Sequence, residues 1–224
     1  MTATPRFDAV LFDCDGVLVD SEPITNGVLR DMLQEQGWQL SAAECLRIFL
    51  GKAVRDERRL IEHHTGRPLS EAWLAEFRER RNQALLQGLR PIRHAPDAVA
   101  DIHVRYAGRI ACASGADLFK VRLQLDKTGL LRWFEGHVFS GHDLPRSKPF
   151  PDVYLAAAAS LGVDPHRCAV VEDTVTGVTA GVAAGATVFG YSPPEMGHDT
   201  PVALRAAGAH HVFEDMAQLP ALVG

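Results

Sequence analysis

AVLFDCDG, residues 9–16, sets four apolar side chains directly before two aspartates. A short apolar run of this kind predicts a strand buried on both faces of a parallel sheet. In open α/β sheets ligands bind beyond the carboxyl ends of the strands, which is where Asp13 and Asp15 would stand. Two carboxylates held that close repel by about 4 kcal/mol at a separation of ~4 Å and an effective dielectric of ~20. A cation, or a proton on one of them, is then needed to hold them together. A carboxylate beside a hard divalent ion can attack phosphorus and carry an aspartyl-phosphate. The competing reading is an Asp-Gly turn that closes a strand, and these residues alone leave the two open.

The rest of the chain narrows the class. At 224 residues, it suits one large domain or a core domain with a smaller insert. A net charge of -5 argues against a nucleic-acid surface, which needs a concentrated basic patch. Asp8 and Asp13 come too early for a secretory signal, and no apolar stretch is long enough to span a bilayer. Cys14, Cys45, Cys112 and Cys168 lie far apart without a CxxC pair, and three of them adjoin or lie within apolar runs, where reduced cysteine acts as a small hydrophobe. The expectation is a reduced, cytoplasmic protein.

Further apolar runs recur between helical stretches: RIACA before Ser114, HVFS before Gly141, AVV before Glu172, TVFGY after Ala186 and HVF before Glu214. Alternating strand and helix predicts an α/β, Rossmann-like, doubly wound parallel sheet. The segment 20–90 interrupts it with no strand candidate. There Ser41 and Glu44 form a capping box before one helix, a second runs from Lys52 to near Gly66, and a third runs from Ser70 to Gly88. The expected organisation is an α/β core of residues 1–19 and 91–224, with an α-helical cap of residues 20–90. Trp38, Trp73 and Phe77 are expected in the cap core.

Three more polar signals fall at equivalent places. Ser114-Gly115 ends the RIACA run, where a hydroxyl and exposed backbone N–H groups can cradle a phosphate; the plain alternative is that Ser114 caps a helix. Lys148 lies in SKPFPD, where Pro149 and Pro151 stiffen the loop before a helix, although an isolated lysine is ordinarily a solvated charge. Glu172-Asp173 ends the AVV run, with helix capping by Thr174 or Thr176 as its plain reading. One site would absorb all four signals: carboxylates from two strand ends binding Mg²⁺, with Ser114 and Lys148 orienting phosphoryl oxygens.

FDCDGVLVDSE, ASGAD, SKPFPD and EDTVTGV, in that order, resemble the four motifs of the haloacid dehalogenase-like hydrolase superfamily. The likeness covers nearly the whole chain, helical insert included. It implies Asp13 as nucleophile and Asp15 as general acid, then base. It implies Mg²⁺ held by the Asp13 side chain, the Asp15 main-chain carbonyl and Asp173, with Glu172 close behind. Ser114 and Lys148 would bind phosphate, with Gly115 beside them. The partner implied is a small phosphorylated metabolite, met by a monomer, with neither nucleic acid nor membrane involved.

Within the superfamily, Asp15 argues for phosphoryl transfer, because the dehalogenases lack that second aspartate. The phosphonate-cleaving branch uses a cap lysine; Lys52 is the only lysine between Gly16 and Gly115 and, beside Arg55, Arg58 and Arg59, reads as a solvated helix face. The β-phosphoglucomutase branch, a phosphoryl-transfer isomerase, is the nearer rival. Where that branch has a histidine after the first motif, this chain has Thr25. VFSGHDLPRSKPFPDVY also resembles bacterial sugar-phosphate phosphatases, which implies a sugar phosphate or a phosphogluconate-like monoester as substrate. Lys52, Arg55 and Arg59 are candidates to meet a second anionic group of it. A reading from another class is a non-catalytic regulatory protein that binds a phosphorylated metabolite. His63-His64 and His210-His211 are expected in surface or structural roles, and Cys14 in packing, its side chain turned away from both aspartates.

Overall fold

The computed structural model describes residues 6–194 and 199–224. It divides into two units, Met1–Val19 with Pro91–Gly224, and Asp20–Arg90.

The larger unit is the doubly wound sheet. Its strands are β1 (Ala9–Phe12), β2 (Ile110–Ser114), β3 (Val138–Ser140), β4 (Cys168–Glu172), β5 (Thr187–Tyr191) and β6 (His211–Phe213). They form one parallel sheet in the order β3-β2-β1-β4-β5-β6. The chain winds outward from β1 in one direction, then returns to β4 on the other side. The carboxyl ends of β1 and β4 therefore flank the point where the winding reverses, the place where such sheets leave a crevice. Every residue of β1 is buried, as its unbroken apolar run requires. Ala9 and Leu11 pack into one face with Val153, Tyr154, Val170 and Val178, while Phe12 meets Phe134 edge-on at 5.8 Å between ring centroids.

The second unit is helical, with α1 (Glu22–Glu35), α2 (Ala42–Phe49), α3 (Arg58–Thr65) and α4 (Glu71–Gly88). The Ser41 hydroxyl accepts the Glu44 N–H, and the Glu44 carboxylate accepts the Ser41 N–H, so the capping box forms. Trp38, Trp73 and Phe77 join Leu29, Leu33 and Ile61 in the core of this unit. One expected boundary is corrected: α3 begins at Arg58, not Lys52. Gly51 adopts φ 68°, and Asp56 and Glu57 then donate to the carbonyls three residues back, of Ala53 and Val54, which makes turns and not a helix. His64, exposed as expected, also stacks on Trp38 at 4.2 Å.

The remaining helices of the larger unit are α5 (Ala95–Arg105), α6 (Leu118–Lys127), α7 (Asp152–Ser160), α8 (Val175–Ala183), α9 (Pro201–Ala206) and α10 (Leu219–Val223). Among the described residues no helix is long and apolar enough to cross a membrane. Helix α8 lies unusually close to the sheet, through glycines at i and i+4 on one face. A Cβ at Gly181 would come within 2.8 Å of Val188 Cγ2 and 3.1 Å of Val170 Cγ1. Gly181→Ala is therefore expected to cost about 1–3 kcal/mol through overpacking, despite alanine's better helix propensity. Urea unfolding measures it; an unchanged midpoint would mean the sheet gives way freely.

Candidate active site

The backbone N–H of Asp13 donates to the Val171 carbonyl at 3.0 Å, which extends the β1–β4 ladder by one residue. Since Phe12 pairs with Val171, Asp13 leaves the sheet level with Glu172. Gly16, at φ 75°, then turns the chain, a conformation that costs a side-chain-bearing residue more. Its N–H donates to the Val19 carbonyl, and the Cys14 carbonyl accepts from Leu18 and Val19, so the loop bearing Asp13 and Asp15 is closed on itself.

Asp13, Glu172 and Asp173 are all buried and offer oxygens that lie within 4.8 Å of one another. Lys148 Nζ donates to Asp13 Oδ1 at 2.6 Å and to Glu172 Oε1 at 2.6 Å. The acids at two strand ends and the lysine from a third loop thus share one cluster. Burial works against the Lys148 ammonium, but the Asp13 and Glu172 carboxylates outweigh it and hold its pKa well above the ordinary lysine value. Burial pushes the Asp13 carboxyl up; Lys148 pulls it down, and Glu172, Asp173 and Asp15 add repulsion. Three buried carboxylates against one ammonium leave an excess of negative charge. Hard, clustered oxygens of this kind suit a divalent cation, so the residues present fit one.

Glu172 is the best-anchored member. Its Oε1 also accepts the Tyr154 hydroxyl at 2.8 Å, and its Oε2 accepts the Asp173 N–H at 3.0 Å, the Thr174 N–H at 3.3 Å and the Thr174 hydroxyl at 3.2 Å. Thr174 simultaneously caps α8 by accepting the Gly177 N–H, so the expected capping is present beside the acidic cluster. A Cβ on Gly177 would fall 1.8 Å from Glu172 Oε1, so only glycine fits at that point of the helix.

Ser114 ends β2, buried, its hydroxyl accepting the Ala116 N–H at 3.0 Å. It does not cap α6. Asp117 does, accepting the Lys120 N–H at 2.9 Å. A Cβ on Gly115 would lie 3.8 Å from Ser147 Oγ and 4.0 Å from Lys148 Cδ, which places the Ser114-Gly115 turn beside the lysine loop. Asp15 accepts on one oxygen, Oδ1, from Lys120 Nζ at 2.7 Å and from Gln124 Nε2 at 2.8 Å. Cys14 is fully buried, as expected, and its thiol donates to Gln124 Oε1 at 3.6 Å. Lys52 and Arg55 belong to the helical unit, both exposed; Lys52 Nζ lies 3.3 Å from Oε1 of the half-buried Glu57, a surface pair of little energetic weight.

Sequence reading missed Lys120, Gln124 and Tyr154. The available signal was polarity on a buried helix face: Lys120 and Gln124 stand one turn apart beside the buried Val121 and Leu125. Tyr154 had no such signal, since a tyrosine in the alanine-rich α7 reads as ordinary core.

Comparison with known proteins gives this arrangement a context. The family model described as haloacid dehalogenase-like hydrolase matches residues 7–185. The chain is 30% identical to 6-phosphogluconate phosphatase of Escherichia coli K12, over 97% of this chain and 95% of that protein. It is 31% identical to hexitol phosphatase B of the same organism, over 88% and 89% respectively. A solved HAD family hydrolase from Deinococcus radiodurans R1, with bound phosphate and sodium, superposes with a TM-score of 0.80 and 35% identity, covering 97% of this chain and 95% of that one.

Proposed function

The chain belongs to the haloacid dehalogenase-like hydrolases, and from that membership we propose that it is a Mg²⁺-dependent phosphatase of small phosphorylated metabolites. The observation that carries the reading is the Lys148 ammonium bridging Asp13 and Glu172 across the two strand ends. A lysine so placed offsets charge on an attacking carboxylate and on an arriving phosphate.

In the first step an Asp13 carboxylate oxygen attacks phosphorus. The bond to the ester oxygen breaks, and Asp15 gives its proton to the leaving alcohol. In the second step Asp15, now a carboxylate, takes a proton from water; the water oxygen attacks phosphorus, and Asp13 leaves as a free carboxylate with release of inorganic phosphate. Ser114 and the Gly115 turn, beside Lys148, would hold the phosphoryl oxygens. Asp13, Asp173 and the Asp15 main-chain carbonyl would hold the ion, with Glu172 behind. Bound there, magnesium would supply charge neutralisation on the phosphoryl group. The twofold division of labour fits one of the slowest uncatalysed reactions known, since each half is easier than direct hydrolysis.

The substrate class proposed is a sugar phosphate or phosphogluconate-like monoester, in keeping with what the two E. coli relatives are named for. Selection beyond the phosphate is assigned to the helical unit as a cap, where Lys52, Arg55 and Arg59 offer exposed cations. A phosphatase is preferred to a mutase because Thr25 replaces the histidine of that branch. The protein is taken to act as a monomer.

Phosphate release from p-nitrophenyl phosphate and from a panel of sugar phosphates, phosphogluconate and phosphoglycolate tests the reading. Activity is expected with Mg²⁺, to fall at least ~100-fold in EDTA, and to return when Mg²⁺ is restored. Ligand binding without any phosphate release would favour the regulatory protein. Accumulation of glucose 6-phosphate from β-glucose 1-phosphate and its bisphosphate activator would favour the mutase.

A further inference from the structure

Helix α6 carries two polar side chains that converge on the proposed acid/base group from 105 and 109 residues away in sequence. We propose that Lys120 and Gln124 are positioning residues for the Asp15 carboxyl, a clamp that sets its orientation for both proton transfers. The inference rests on Asp15 acting as the acid and base.

Both side chains are buried, Gln124 completely. A lysine is rarely withdrawn from water this far without a strong reason, since burying an ammonium is costly unless a carboxylate repays it. Serving as a counter-ion would explain Lys120 alone. It does not explain Gln124, which is neutral and reaches the same Oδ1 atom. Two donors on one oxygen, approaching from positions one helical turn apart, restrain the carboxyl group against rotation. Neither uses Oδ2. The third member is Cys14, between the two aspartates, whose thiol donates to Gln124 Oε1. That contact turns the Gln124 amide so that its NH₂ faces Asp15. Asp117 caps the helix one turn before Lys120, which anchors the end of α6 from which the clamp projects. Proton transfer requires its donor within hydrogen-bond reach of the leaving oxygen, and misplacement by ~1 Å can cost on the order of 100-fold.

The test uses two aryl esters of nearly equal size and unlike leaving groups. Phenyl phosphate expels a more basic oxygen than p-nitrophenyl phosphate and depends more on the acid. The ratio of their kcat/KM values, which report the steps up to loss of the phenol, therefore measures protonation and not phosphate binding. Lys120→Met and Gln124→Leu are each expected to lower kcat/KM for phenyl phosphate about tenfold or more and for p-nitrophenyl phosphate by less than about threefold. Lys120→Arg, which can still reach a carboxylate, is expected to recover part of the lost ratio. Equal losses on both esters, or none, in both variants would overturn the clamp. Should Lys120→Met fail to fold, Gln124→Leu, which removes no charge, decides the matter by the same ratio. Asp15→Asn separates the two levels. A steepened ratio in Asp15→Asn with a normal ratio in the clamp variants sinks the clamp alone. An unchanged ratio in Asp15→Asn sinks the acid assignment and the clamp with it.

Discussion

Asp13→Asn is expected to yield a folded protein that releases no measurable phosphate from p-nitrophenyl phosphate in the presence of Mg²⁺. An amide of the same shape cannot attack phosphorus as a carboxylate does, and loss of a covalent nucleophile removes on the order of 10⁴-fold or more of turnover. The fold has little reason to object. Burial already disfavours charge on Asp13, with Glu172, Asp173 and Asp15 adding repulsion, and Lys148 keeps Glu172 as a partner. Thermal unfolding without metal is accordingly expected within a few degrees of wild type, or above it. Phosphate release within tenfold of wild type would remove Asp13 from the nucleophile's role. Asp15→Ala is expected to abolish turnover of sugar phosphates, whose leaving alcohols need a proton, and to leave the fold intact.

Lys148→Met should damage both stability and chemistry. The ammonium is nearly excluded from solvent, hydrogen-bonded to two carboxylates and set 4.9 Å from the Tyr154 ring centroid. Methionine fills most of that space but leaves Asp13 and Glu172 without their shared cation. Breaking a buried ion pair from one side costs about 3–5 kcal/mol. In EDTA the melting temperature should fall by roughly 6–20 °C, given about 2–4 °C per kcal/mol in a chain of this size. Mg²⁺ binding to the native state should then restore more stability to the variant than to wild type, because the ion meets an uncompensated cluster. Turnover is expected to fall at least ~1000-fold, as phosphate loses one of its stabilising charges. Paired melting curves with and without Mg²⁺ read the first effect, and phosphate release reads the second. A variant that melts like wild type in EDTA would show that the carboxylates do not depend on Lys148.

The sheet was legible because its strands are short apolar runs with polar residues at their carboxyl ends, and parallel order follows from the helices between them. The capping box at Ser41 and Glu44 was legible for a local reason: both its hydrogen bonds span only three residues. The contacts that join the loops were not, because nothing in a single sequence states which helix face will meet which strand end. Lys120 shows the difficulty. Its partner lies 105 residues away, and among Phe119, Val121 and Leu125 it looks like one polar break in an amphipathic helix. Ser114 erred in the other direction. Its place after a strand suggested a cap, but Asp117, three residues on and closer to the first helical turn, competes better for the free N–H groups. At Lys52–Glu57 the favourable helix composition lost to Gly51, whose left-handed backbone sends the chain out of the preceding helix.

Cys14 sits fully enclosed between Asp13 and Asp15, which makes the spacing of residues 13–15 matter as much as their composition. The side chain at 14 is the rivet, and the carboxyls at 13 and 15 are mounted beside it. Exchanges that keep a small, inward-facing residue at 14 should be absorbed by the interior. Adding or removing one residue between Phe12 and Gly16 would shift this segment against β1, draw the rivet out of the interior and drive an acid into the hydrocarbon beneath. For this segment, length is the more stringent inheritance than spelling.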